Sequence, residues 1–185
     1  MRRRTDRRLG PMTLQQLLNI RPLRLSDAII MSSAFARLGW NKPESQYRTY
    51  LAEQTAGERD VLVAELGGQF AGYVTIHWKS PYLPFAQAGI PEVQDFNVLP
   101  EFRRQGIGTR LMDLAEQKIA ARHDTAGIGV GMYPDYGHAQ RLYVLRGYVP
   151  DGRGLCYQYR ALKPMEQTIN DDDLVLFFTK RLRND

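Results

Sequence analysis

Apolar residues along this chain recur in two rhythms, and the places where one gives way to the other mark its elements. Residues 17–25 read as a first strand, and Ser26-Asp27 would cap a helix over 28–38 that Gly39 closes. Trp40 follows in a loop, and Pro43-Glu44 suits the first turn of a second helix through Glu53. Two alternating runs, 60–66 and 70–79, flank Gly67-Gly68-Gln69 and predict a hairpin. Gly72, Val74, Ile76 and Trp78 share one face of its second strand, with Tyr73, Thr75 and His77 on the other. Residues 80–89 hold two prolines and two aromatics without a period, so a loop is expected there. In 90–98, Ile90, Glu92, Gln94, Phe96 and Val98 alternate with Val93, Asp95 and Asn97, a strand that Pro100 stops. Ile107, Leu111, Leu114, Ala115, Lys118 and Ile119 then recur at helical steps, the stem of Lys118 lying along the stripe.

The second half repeats the alternation. The strand 125–132 puts Ile128, Val130 and Met132 on one face and only Gly127, Gly129 and Gly131 on the other, where something must approach closely, more plausibly a packed helix than a ligand. A helix over 137–146 carries Ala139, Leu142, Tyr143 and Arg146 on one side, and Gly147 sits at a left-handed cap. A strand over 155–160, an irregular stretch 161–173 and a last strand 174–180 complete the chain. Strands alternating with helices around a hairpin imply a mixed α/β sheet covered on both faces, in a single domain spanning 12–185.

Charge changes the picture only at the start. The formal net charge is +5, but residues 1–10 hold five arginines against Asp6, and about +1 is left for the rest. That argues against a nucleic-acid-binding face on the domain itself. Residues 1–11 are expected to be a disordered basic leader, or an extension upstream of a start at Met12. No secretory apolar core follows, and the longest apolar run, near 174–178, is too short to span a bilayer. Cys156 is the only cysteine, so no internal disulfide or thiolate metal cluster is available, and a cytoplasmic protein is expected. The spacing of His77, His123 and His138 matches no metal motif, and no metal is expected. Asp171-Asp172-Asp173 reads as a solvated turn before the last strand.

Candidate chemistry begins between the strand 90–98 and the helix after it, at Arg103-Arg104-Gln105-Gly106-Ile107-Gly108-Thr109. Glycines here allow a tight turn and close approach, and the unpaired amides of a first helical turn favour an anion. A Rossmann turn wants G-x-G-x-x-G and a Walker loop ends in Gly-Lys-Ser/Thr, and neither is present. A bare glycine turn with exposed arginines is the plainer alternative. The phrase Arg103-x-x-Gly106-x-Gly108, after a strand and before a helix, resembles the acyl-CoA pyrophosphate signature of the GNAT superfamily of N-acetyltransferases. About thirty residues on, 139–148 (AQRLYVLRGY) is similar to the family's later helix, A-x-x-L-Y-x-x-x-G-F/Y. The element order is also the family's. The resemblance implies a GNAT-type acyl-CoA N-acyltransferase fold, of class α/β (mixed α+β). Its central sheet would be mixed, mostly antiparallel and seven-stranded, flanked by about four helices.

It also implies roles. Arg103, Arg104, Gln105, Gly106, Ile107, Gly108 and Thr109 would bind the pyrophosphate of acetyl-CoA. Backbone around Val98, flanked by Phe96 and Leu99, would take the pantetheine arm and the thioester carbonyl. Tyr143 would protonate the departing sulfur, or else be a core aromatic with a bonded hydroxyl. Many members carry an asparagine where this chain has Tyr136, and Tyr133, Asp135 and Tyr136 are candidates to replace its contacts with CoA. An amine with a pKa near 10.4 is about one part in a thousand neutral at pH 7, so a carboxylate that takes its surplus proton is useful. Glu92, eleven residues before Arg103, is preferred as that base and Asp95 is the alternative; many members have no dedicated base. On a regular strand the two carboxylates face opposite sides unless a bulge intervenes.

The expected function is acetyl transfer to a primary amine of a small molecule or peptide, in a ternary complex without a cysteinyl intermediate. Trp40, Tyr47, Tyr50, Trp78, Tyr82 and Phe85 are candidates for the acceptor site, or else core. Acetyl-CoA and the amine are the expected partners, no membrane is involved, and a homodimer is left open. A non-catalytic acyl-CoA-binding regulator, or an RNA- or ribosome-associated module using the leader, are the alternatives.

Overall fold

A computed structural model of the protein describes residues 17–183. The leader expected over 1–11, with any role in binding RNA, lies outside these residues. The chain runs β1 (Leu18–Pro22), α1 (Asp27–Ala36), α2 (Glu44–Ala56), β2 (Arg59–Leu66), β3 (Gln69–His77), α3 (Leu83–Ala88) and β4 (Glu92–Val98). It continues with α4 (Ile107–Ala120), β5 (Thr125–Gly131), α5 (Gly137–Leu145), β6 (Val149–Tyr157), β7 (Arg160–Ala161) and β8 (Leu174–Arg181). The strands form one sheet in the order β1-β2-β3-β4-β5-β8-β6-β7. Its pairs are antiparallel except β4 with β5.

Apolar alternation on each strand supplies both faces of this sheet. Val74, Ile76, Val93, Ala126, Ile128 and Val130 bury against Ile107, Leu111, Met112, Ala115 and Ile119 of α4 and against Tyr143 of α5. Val61, Val63 and Tyr73, on the opposite face, bury against α1 and α2 through Met31, Phe35 and Tyr47. Full burial of each such side chain is worth about 1.5–3 kcal/mol.

Three expectations about the elements need correction. Among the described residues the sheet has eight strands, because β7 is added after the turn at Gln158 and Tyr159, and β6 starts earlier than expected. Glycines at positive φ, Gly152 and Gly154, carry β6 through an irregularity in its pairing with β8, and an alternation count cannot follow such a break. Among the described residues there are five full α-helices, because residues 83–88 form α3 inside the expected loop, with Pro84 in its first turn and Gly89 as a left-handed cap. Six residues are too few to show a helical period. Finally, β4 is not regular. Tyr73 pairs with Asn97 but Thr75 with Gln94, so β4 carries one extra residue, and Asp95 takes φ 48°.

This bulge reassigns the faces of β4. Phe96 and Val98 join Val93 on the α4 side. Gln94 and Asp95 bond to residues on the α2 side, where Glu92 also lies through its pairing with His77 and, by way of His77, with Arg59. Glu92 and Asp95 share a face because a bulge does intervene, the case in which opposite faces were not expected, while the expectation that Phe96 shares the face of Glu92 is overturned.

Candidate active site

Strands β4 and β5 pair only at Glu92 with Gly127 and Val93 with Ile128. Beyond that point they part, and the sheet opens as a wedge between residues 94–98 and 129–131. The glycine-only face of β5 is explained by what fills the space beside it. A Cβ on Gly127 would stand 2.2 Å from the Phe85 ring of α3, one on Gly129 2.7 Å from Val175, and one on Gly131 2.5 Å from the Tyr136 ring.

At the mouth of the wedge the chain turns into α4. Arg103 is extended, Arg104 takes φ 58° and Gly106 φ 78°, and α4 starts at Ile107. Among the described residues no acceptor meets the amides of Ile107, Gly108 or Thr109. Side-chain bonds brace the turn from behind: Arg103 Nε donates to the Val98 carbonyl at 3.0 Å and Gln105 Nε2 to the Glu101 carbonyl at 3.2 Å. Gly108 lies against β4, where a Cβ would stand 3.0 Å from the Phe96 ring and 3.6 Å from Val98. Outward-pointing amides, the helix dipole and the exposed guanidinium of Arg104 fit a diphosphate. The Val98 carbonyl, expected to meet the pantetheine arm, is already accepting from Arg103.

Tyr143 projects from α5 into the apolar layer and is 5% exposed. Burial alone pushes its phenol above the ordinary tyrosine range. Tyr143 is thus a member of the core, and no hydrogen-bond partner among the described residues engages its hydroxyl. Helix α5 is pinned over the end of β5 by Gln140 Nε2, which donates to the Gly131 carbonyl at 2.8 Å. Tyr136 acts as a strut: its ring covers Gly131 and its hydroxyl donates to Asp172 at 2.8 Å, where Tyr133 also donates.

The two carboxylates differ sharply. Asp95 accepts from Lys42, Gln46, Tyr50, Tyr73 and Asn97, so its lone pairs are fully committed. Glu92, 3% exposed, accepts from the Ser80 hydroxyl, and burial pushes its carboxyl above the ordinary range. Beside it Arg59 is held by Glu53, by Thr75 at 2.8 Å and by Gln94 at 3.0 Å. Neither Ser80 nor the cluster around Asp95 was visible in the sequence, since every side-chain partner but Asn97 lies 12 to 53 residues away. Of the aromatic set, Tyr47, Tyr82 and Phe85 are core. Trp40 is partly exposed over Phe35, Trp78 lies beside Arg122 and His123, and Tyr50 is half-buried. Among the described residues no cluster of three or more His, Cys, Asp or Glu could hold a metal ion, and no helix is long and apolar enough to cross a membrane.

A sequence profile of the acetyltransferase (GNAT) family matches residues 28–148, which take in both the cradle at α4 and Tyr143 on α5. The chain belongs to the GNAT family. A 74-residue stretch is 36% identical to an uncharacterized N-acetyltransferase of Archaeoglobus fulgidus, taking in 38% of this chain. The match spans about half the length of that relative, 48%. Solved GNAT structures share the fold at low identity. A GNAT-family protein of Desulfovibrio desulfuricans has a TM-score of 0.67 at 15% identity, covering 90% of this chain and 99% of its own. The Salmonella typhimurium protein yncA, solved with its cofactor acetyl-CoA, has a TM-score of 0.64 at 17% identity, covering 91% and 96%. The ribosomal-protein-alanine N-acetyltransferase of Brucella melitensis has 0.64 at 19%, covering 88% and 99%. The GNAT fold thus stands here with eight strands and five full α-helices among the described residues.

Proposed function

We propose that this GNAT protein transfers an acetyl group from acetyl-CoA to a primary amine of a small molecule or peptide, by direct attack with both substrates bound. One observation carries the proposal: the amide cradle of α4 opens at the mouth of the wedge between β4 and β5, and Tyr143 lies in the layer behind it. A diphosphate on the cradle directs its arm along the widening gap beside Phe96 and Val98.

The residues then divide the chemistry. The amine nitrogen bonds to the thioester carbonyl carbon, the carbon–sulfur bond breaks, and one proton passes overall from amine to sulfur. Tyr143, whose raised pKa keeps it protonated, gives its proton to the departing thiolate. Glu92, directly or through water, takes the proton that the nitrogen loses, and its raised pKa makes it the stronger acceptor. Asp95 holds the bulge and does no proton transfer. Burial pushes the Cys156 thiol up as well, which supports direct transfer over a cysteinyl route.

A non-catalytic acyl-CoA-binding role is the second reading, and the full commitment of Asp95 favours it. Thiol release from acetyl-CoA, screened against simple amines, aminoglycosides, polyamines and N-terminal peptides, separates the two. Turnover with at least one amine class is expected, and Tyr143→Phe should lower kcat by about 100-fold with acetyl-CoA affinity kept. Binding of acetyl-CoA without thiol release from any amine would leave only the second reading.

A further inference from the structure

Tyr143 and the diphosphate cradle stand on different helices, so their relative placement depends on what ties α5 to α4. That tie is Arg146, at the C-terminal end of α5. Its Nε donates to Glu116 Oε1 at 2.9 Å and its Nη2 to Asp113 Oδ1 at 2.8 Å, both acids lying one turn apart on α4. The other oxygen of Glu116 accepts from Lys180 of β8 at 2.7 Å, so two cations meet two anions. The cluster is sheltered, with the Arg146 side chain 13% exposed and Glu116 11%. On the main chain the Arg146 amide donates to the Tyr143 carbonyl at 3.1 Å, and the Tyr148 amide donates to the same oxygen at 3.0 Å. Lys180 also lies 5.7 Å over the Tyr148 ring, whose centroid is 6.1 Å from that of Tyr143.

We propose that Arg146 is a positioning residue that sets the Tyr143 hydroxyl at the thioester sulfur by locking α5 to the helix that carries the cradle. This rests on the role given to Tyr143 above. A guanidinium presents its donors in a fixed plane, so two carboxylates on one helix face fix the rotation as well as the distance of the helix bearing it. Stability alone does not call for this arrangement, since apolar residues of similar volume hold two helices together as well as a sheltered ion cluster does. A defined orientation of the phenol is what the fork adds.

The test is a double-mutant cycle on the full chain. Arg146→Met, Arg146→Lys and Tyr143→Phe are made singly and in pairs, and kcat, the KM for acetyl-CoA and the melting temperature are measured for each. Misplacing a reacting group by about 1 Å costs up to about 100-fold, so Arg146→Met should lower kcat by at least about tenfold. The KM for acetyl-CoA should hold, because the cradle is intact. Arg146→Lys, which can reach one carboxylate but not both, should fall between. In the Tyr143→Phe background either substitution should cost less than about twofold more, the signature of groups acting as one. The same fold-loss in both backgrounds, or a raised KM with kcat unchanged, would overturn the assignment. If Arg146→Met does not fold, the Arg146→Lys cycle decides by the same criteria. A wild type that releases no thiol removes the acetyltransferase reading and this inference with it. A Tyr143→Phe variant as fast as wild type removes the role of Tyr143, and only additivity on an active background removes Arg146 alone.

Discussion

Glu92 and Asp95 stand three residues apart on one face of β4, in different surroundings. Burial raises the Glu92 pKa, so ionised Glu92 opposes folding. Its contribution to stability is fully present below the unfolded pKa near 4.5 and is lost as pH rises through the raised folded value. Glu92→Gln should therefore stabilise the protein more at pH 8 than at pH 5 in urea unfolding, while lowering kcat. In the wild type, the acidic limb of kcat/KM should lie above the ordinary carboxylate range and vanish in Glu92→Gln. Asp95 is held by a dense set of donors instead. Removing a sheltered carboxylate that neutralises Lys42 and takes four further donors should cost about 3 kcal/mol in Asp95→Ala. Per folded molecule its effect on kcat should be smaller than that of Glu92→Gln. The sequence marked both residues as candidates, but choosing between them needed partners up to 53 residues away.

Among the elements, β5 and the start of α4 show how glycine admits a neighbour. The glycine face of β5 was legible as a close approach, and the packed helix expected there is in part α3, through Phe85 on Gly127. Its other two glycines meet Val175 and Tyr136 instead, and α3 itself, six residues long, left no periodic trace. Gly127→Ala should destabilise by about 3 kcal/mol through overpacking, and Phe85→Leu in the same chain should restore part of that. Gly108 makes a different contact, with a Cβ held 3.0 Å from an aromatic ring at the entrance to the wedge. Gly108→Ala should shift the cradle rather than the core. Calorimetry should find acetyl-CoA bound about tenfold more weakly, a loss near 1.4 kcal/mol, with the melting temperature nearly unchanged.

For the whole molecule, the consequence is linkage between the wedge and stability. The cradle, the parted strands and Tyr143 come together only in the folded chain, so a ligand spanning them binds the native state alone. At acetyl-CoA a hundredfold above its Kd the gain should be about 2.7 kcal/mol. For a chain of this size that is a rise of roughly 5–10 °C in Tm, read by scanning calorimetry. Gly108→Ala should show a smaller rise at the same concentration, and an unchanged Tm for wild type would remove the site.

Local pattern carried much of this protein into view. Period and punctuation gave the hairpin, the stripe of α4, the left-handed cap at Gly147 and the turn at Gly106, because each is decided by residues within a turn or two of one another. The two family motifs lie in such segments. Tertiary structure alone decided the rest. One extra residue in β4 reversed the faces of Phe96 and Asp95, and an early end to the pairing of β4 with β5 made the wedge. The bonds that separate Glu92 from Asp95, and that tie Arg146 to α4, join residues from distant parts of the chain. A strand's period says which residues alternate, but only its neighbours fix where the alternation breaks and what stands opposite.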